Sequence, residues 1–137
     1  RRLAFDVRAL ALGAGVALAI AIPTSLLSQA LDATDHIADD SAVVYVAAAI
    51  IIAGLAVGGA VAAARQPSAP LRHGAAAALI AFVVVSAIGM LRRSIANEDM
   101  RWGVVAINAV VAMWAGSMGA LVSELRLSWR ERRRGQV

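Results

Sequence analysis

Residues 31–40 hold the densest polar cluster of the chain, with Asp32, Asp35, His36, Asp39 and Asp40 inside ten positions. If this stretch is helical, Asp32, Asp35, His36 and Asp39 fall on one face, at i, i+3, i+4 and i+7. Three carboxylates and one imidazole are a possible donor set for a divalent cation. Glu98 and Asp99, in a second acidic segment, are candidate further ligands. The spacing matches no standard calcium loop. A solvated loop, its acids paired with Arg92, Arg93 or Arg101, accounts for the same residues and is the preferred reading. Asp39 and Asp40 also suit the start of a following helix, where negative charge complements the helix dipole. The sequence therefore calls for no metal and no cofactor.

Other chemistry is sparse. The chain has no Cys, which removes disulfides, thiol nucleophiles and thiolate metal sites. His73 stands beside Arg72 in a connection, without a catalytic partner, and is expected to be solvated. No nucleophile–base order, phosphate loop or dinucleotide fingerprint occurs. The sequence predicts no enzyme. All 13 basic residues are Arg, which with the abundant Ala and Val points to a GC-rich genome. The isoelectric point near 11.3 raises nucleic-acid binding. The arginines flank apolar runs instead of forming a basic face, so that class is excluded.

The elements that must carry these residues are four apolar runs without formal charge, at 9–27, 42–64, 74–91 and 102–122. Apolar residues make up 61% of the 137. That is well above the roughly 45–50% of soluble domains, and mean hydropathy is +0.75. About 20 residues at 1.5 Å rise cross a hydrocarbon core of about 30 Å. The runs lack the alternation of barrel strands. Helices satisfy their own backbone in lipid. The first run follows Arg1, Arg2 and Arg8 and precedes Ser28 and Ala30, a pattern shared with signal peptides. Its length exceeds their apolar region of about 7–15 residues, so it is expected to stay. Arg1 in place of Met implies a longer or trimmed natural N-terminus. An echo links the halves, since Arg8 and Arg72 each precede a run leading to an acidic segment. Shared Ala/Val composition explains it without a repeat.

Orientation follows from arginine placement. With the N-terminus inside, ten arginines lie on the inner side and three, Arg92, Arg93 and Arg101, on the outer. Tyr45 and Trp102 fall near the outer boundary and Trp129 near the inner one.

Small residues at four-residue spacing mark helix faces that admit close backbone approach. Gly54 and Gly58 do so in the second run, Ala112, Gly116 and Ala120 in the fourth, and Gly13, Ala17 and Ala21 in the first. Packing within one bundle and docking of a partner, whether a second copy or another membrane protein, fit these faces equally. Within the spans, Pro23 is expected to kink the first helix, with Thr24 and Ser25 nearby. Asn108 is the most polar side chain at depth, about 9 Å from Trp102 at helical rise. It is expected to hydrogen-bond to a neighbouring helix; a place in a transport path is the lesser reading. The small multidrug transporters are similar in size and span number. They depend on a glutamate in the first span, where this chain has no acid.

Residues 123–137 form a cytoplasmic tail in this reading. Helical spacing continues past the last run, with Val122, Leu125 and Trp129 on one face and Arg126, Arg130 and Arg133 on another. Such a segment suits an interfacial position against anionic headgroups. The chain resembles the small four-span bacterial membrane proteins of unknown function. The likeness lies in the span count, in Gly58, Gly59 and Ala60 closing the second span, in the basic turn from Arg65 to Arg72 and His73, and in Gly74 opening the third. The resemblance implies a fold and no activity. The expected architecture is all-α: an integral membrane four-helix bundle, N-in and C-in, with an interfacial basic C-terminal helical extension, in a bacterial inner membrane. The expected function is a non-catalytic accessory or structural subunit of a larger membrane assembly. The expected partners are the lipid bilayer and other integral membrane proteins, or a second copy. A small oligomeric transporter or channel for cations or amphiphiles is the alternative.

Overall fold

A computed structural model describes residues 5–32, 42–95, 97, 99 and 102–134. It is all-α over these residues, with α1 at Val7–Asp32, α2 at Ala42–Arg65, α3 at Pro70–Ile95 and α4 at Trp102–Arg134. All four are long and apolar enough to cross a membrane. Each outlasts the apolar run that marks it, for local reasons. Asp6 opens α1 by accepting hydrogen bonds from the amides of Arg8 (2.9 Å) and Ala9 (3.3 Å) on Oδ1, as N-cap residues do. Pro70 occupies the first position of α3, where a missing N–H costs nothing. Residues 66–69 form the α2–α3 turn, closed by the Gln66 amide on the Ala63 carbonyl and the Ala69 amide on the Gln66 carbonyl. Asn97, beyond the end of α3, takes a positive φ of 56°, which asparagine tolerates better than most residues. Pro23 lies inside α1, which continues to Asp32. The Thr24 hydroxyl donates to the Ile20 carbonyl at 2.8 Å rather than to that of Ala19, the one proline deprives of its donor.

The short α2–α3 turn makes those helices antiparallel. The starts of α1 and α3 lie together with the ends of α2 and α4, at an arginine-rich end. Helix α1 touches α2 and α3, α4 touches α2 and α3, and α2 touches α3. Among the described residues α1 and α4 do not meet.

The interior is built of glycine and alanine. Leu55 is the one large aliphatic side chain among the buried residues described. The bulky residues face outward, including Ile50, Ile52, Ile80, Val83, Ile107 and Trp114. Only 22–33% of each span's apolar window is buried, so most of that surface would meet water if the chain were soluble. Exposed apolar area on this scale suits lipid. The architecture is a bundle of four helices, each a candidate membrane span, which suits a multi-pass membrane protein.

The two hairpins close by the same contacts. A Cβ built on Gly13 would lie 2.6 Å from the Gly58 carbonyl oxygen and 2.7 Å from the Ala62 Cβ. One built on Gly74 would lie 2.7 Å from the Gly116 oxygen and 2.8 Å from the Ala120 Cβ. In return, Gly58 faces the Gly13 oxygen and Ala17, while Gly116 faces the Gly74 oxygen and Ala78. The echo in the sequence thus has a structural counterpart, in register on the glycines and not on Arg8 and Arg72. The hairpins join where Gly59 meets the Gly116 backbone and Gly119 meets the Ala56 backbone.

Gly15 gives the contrast, since its Cβ would meet nothing within 4 Å. Gly119→Ala is expected to lower stability in mild detergent by about 1–3 kcal/mol through overpacking. Gly15→Ala is expected to be neutral or to stabilise by up to about 1 kcal/mol. Reversible denaturant unfolding of the two variants checks this.

Candidate functional site

Burial divides the bundle lengthwise. Every buried residue described lies toward the arginine-rich end, up to Ala21 on α1, from Gly54 on α2, up to Ala81 on α3 and from Ala112 on α4. Beyond these levels no described residue is buried. One half is sealed by backbone contact and the other is open.

At the sealed end a hydrogen-bonded relay ties α1 to α3. The Asp6 amide donates to His73 Nε2 at 3.1 Å. His73 Nδ1 lies 2.9 Å from the Ala69 carbonyl, to which it donates. These partners assign the proton to Nδ1 and leave Nε2 as acceptor. The ring is 2% exposed and lies 5.5 Å from the Phe5 ring at 58°. This corrects the expectation of a solvated loop histidine. Helix α3 begins three residues before His73, and its first turn carries the ring inward. The signal was available in Asp6, a capping residue just ahead of an apolar run, but its partner could not be inferred from spacing. At the opposite end Arg92 donates to Gln29 Oε1 at 2.9 Å, so the parallel pair α1 and α3 is tied at both ends.

The acidic cluster falls mostly outside the described residues. Asp32 closes α1, but its side chain is not described, and Asp35, His36, Asp39, Asp40 and Glu98 lie outside. Among the described residues no group of three or more His, Cys, Asp or Glu could hold a metal ion.

The small residues singled out in the second and fourth runs are all buried within the bundle. Gly54 faces Ile20, with 2.8 Å from a built Cβ to Ile20 Cγ2. Gly58 and Gly116 close the two hairpins, and Ala112 and Ala120 are buried beside them. Their faces are occupied by the chain's own helices.

Asn108 is the opposite case. It lies four residues before Ala112 on the stripe that continues through Gly116 and Ala120, yet it is exposed and has no hydrogen-bond partner among the described residues. The expected bond to a neighbouring helix is absent because the stripe reaches the open half at this point. Asn108 and Ser86, which also lacks a partner among the described residues, line one cavity of 230 Å³ between α3 and α4. Two other hydroxyls at depth are satisfied locally, Thr24 donating to the Ile20 carbonyl at 2.8 Å and Ser117 to the Met113 carbonyl at 2.9 Å.

Helix α4 is a single rod of 33 residues, against 24–26 for the others. Its last turns run past the end of α2. Arg126, Trp129 and Arg133 line one concave surface of 550 Å³ together with Val122 and Leu125. The Arg133 guanidinium carbon is 5.8 Å from the Trp129 ring centre. Arginines and apolar residues therefore share a face here, where separate faces were expected, because steps of four, three and four residues align Val122, Arg126, Trp129 and Arg133 along one side. The side chain of Arg130 lies outside the described residues.

Comparison of the chain with protein-family models, curated proteins and solved structures finds no match. Fold and function therefore rest on the residues themselves.

The relay predicts a specific cost. His73→Phe keeps an aromatic ring but leaves the half-buried Asp6 amide without its acceptor, and is expected to destabilise by about 1–3 kcal/mol. Asp6→Ala, which keeps that amide and removes the cap, is expected to cost about 1 kcal/mol. Denaturant unfolding in detergent, followed by near-ultraviolet dichroism, measures both.

Proposed function

We propose that this chain is a non-catalytic accessory or structural subunit of a larger membrane protein assembly, and that its partner docks on the open half of the bundle at Asn108. The observation that carries this reading is the amide of Asn108, which has no partner among the described residues and lies within the apolar run of α4 on an exposed face. A side-chain amide facing hydrocarbon is costly, and a hydrogen bond from another helix removes the cost. Ser86 beside it offers a second donor and acceptor. The small-residue faces are consumed within the chain, which moves the docking surface from Gly54, Gly58, Ala112, Gly116 and Ala120 to the α3–α4 groove.

The transport alternative has less support. Where α2, α3 and α4 meet, Gly59, Gly74 and Gly116 bring backbone against backbone, which leaves no room for a water-filled path between these three helices.

We assign the arginine-rich end to the cytoplasm of a bacterial plasma membrane, on the ten-to-three arginine bias and the all-arginine basic set. The cysteine-free sequence makes this directly testable. Ser68→Cys is expected to resist a membrane-impermeant thiol reagent in intact cells, and Asp35→Cys to react. The opposite pattern overturns the orientation.

A photo-crosslinking residue at position 108 in native membranes is expected to give one adduct of defined mass, lost when the crosslinker is moved to Leu12 on the far helix. A stable lone monomer with no adduct at 108 contradicts the subunit reading.

A further inference from the structure

The outer surface between α2 and α4 carries a continuous groove. Its first part, 460 Å³, has a floor of Ala56, Ala60 and Ala64, spaced four apart on α2, and ends at Arg126. Val57 and Val61 of α2 and Met118 and Val122 of α4 form its walls. A second part of 210 Å³ shares Ala60, Val122 and Arg126 and adds Ser123 and Leu127. The third is the 550 Å³ surface of Arg126, Trp129 and Arg133. Val122 and Arg126 line all three.

The groove has a physical origin. Gly119 lies against the Ala56 backbone, so the two helix axes approach closely, and alanines along α2 leave the adjoining furrow unfilled. Helix α2 then stops at Arg65 while α4 continues, which uncovers the lower face of α4. Along this line the lining changes from wholly apolar to cationic. Arg126 is one helical turn past the apolar run, about 6 Å at helical rise. That is the level at which an apolar furrow meets the headgroup region.

We propose that this groove binds one anionic phospholipid, with an acyl chain along Ala56, Ala60 and Ala64 and its phosphate at Arg126 and Arg133. Charge complementarity decides the occupant. Guanidinium groups match phosphate oxygens in paired hydrogen bonds. Among the described residues no carboxylate pairs with Arg126 or Arg133. Trp129, held under Arg133, is the residue type that settles at headgroup level. An apolar furrow alone would suit any partner, but one that ends in two arginines selects an amphiphile with a negative head. The site is on the opposite end and a different helix pair from the Asn108 groove, and it needs membrane insertion but not the subunit reading.

The test uses the full chain with Trp102→Phe and Trp114→Phe, leaving Trp129 as the reporter, in phosphatidylcholine nanodiscs titrated with brominated phosphatidylglycerol. Quenching is expected to saturate at a low mole fraction. Arg126→Gln is expected to raise the midpoint by about five-fold, the weight of one basic residue at an anionic surface. Ala64→Leu, which fills the floor without changing charge, is expected to raise it in the same direction. Arg72→Gln, an equal loss of charge at the same end, is expected to leave it unchanged. Brominated phosphatidylcholine is expected to give no saturable phase, and soluble glycerol phosphate no competition. The proposal is overturned if Arg72→Gln and Arg126→Gln act equally, if Ala64→Leu has no effect, if the zwitterionic lipid quenches as well, or if glycerol phosphate competes.

Discussion

The contact of helix backbones at Gly59, Gly74 and Gly116 is the constraint on which the rest of this structure depends. In lipid, apolar side chains gain nothing by leaving their surroundings for a protein interior. Association must come from dispersion at close range, and only residues without bulky side chains permit that range. The chain meets the requirement twice with one motif, at Gly13–Gly58 and at Gly74–Gly116, and then joins the hairpins through Gly59 and Gly119. The large side chains are displaced outward as a result.

Both ends of the molecule follow from where those contacts stop. Toward the arginine-rich end they hold α1 against α3 closely enough for a buried histidine to bridge the two helix starts. Toward the other end, past Ala21, Gly54, Ala81 and Ala112, nothing described is buried, and a stripe that carries Ala112 and Gly116 in the sealed half presents Asn108 in the open one. The same helix face thus packs in one half and is available in the other. On the outside, the close pass of α2 and α4 at Gly119 creates the furrow that runs down to Arg126.

Much of this fold was legible in the residues. The four apolar runs located all four helices among the described residues, because spanning length and composition suffice for that. Helix ends were less so. Asp6 and Pro70 extend α1 and α3 through capping and first-turn chemistry, and α4 runs to Arg134 because no glycine or proline interrupts it after Gly119. The glycine and alanine faces could be read from four-residue spacing, but not their partners. Periodicity gives the face of a helix and never the helix opposite, and similar small residues occur on all four. For the same reason His73 looked like a solvated loop residue, and Asn108 looked paired. The acidic cluster at Asp32, Asp35, His36 and Asp39 lies largely outside the described residues, so its chemistry stays a matter of sequence.

Magic-angle-spinning spectroscopy of glycine-labelled protein in lipid bilayers tests the central claim most directly. Through-space carbon correlations are expected between Gly59 and Gly116 and between Gly74 and Gly116, with no magnetisation reaching these glycines from water. Absence of both correlations, or rapid water transfer to Gly116, would mean that the helices do not meet through their backbones inside a membrane.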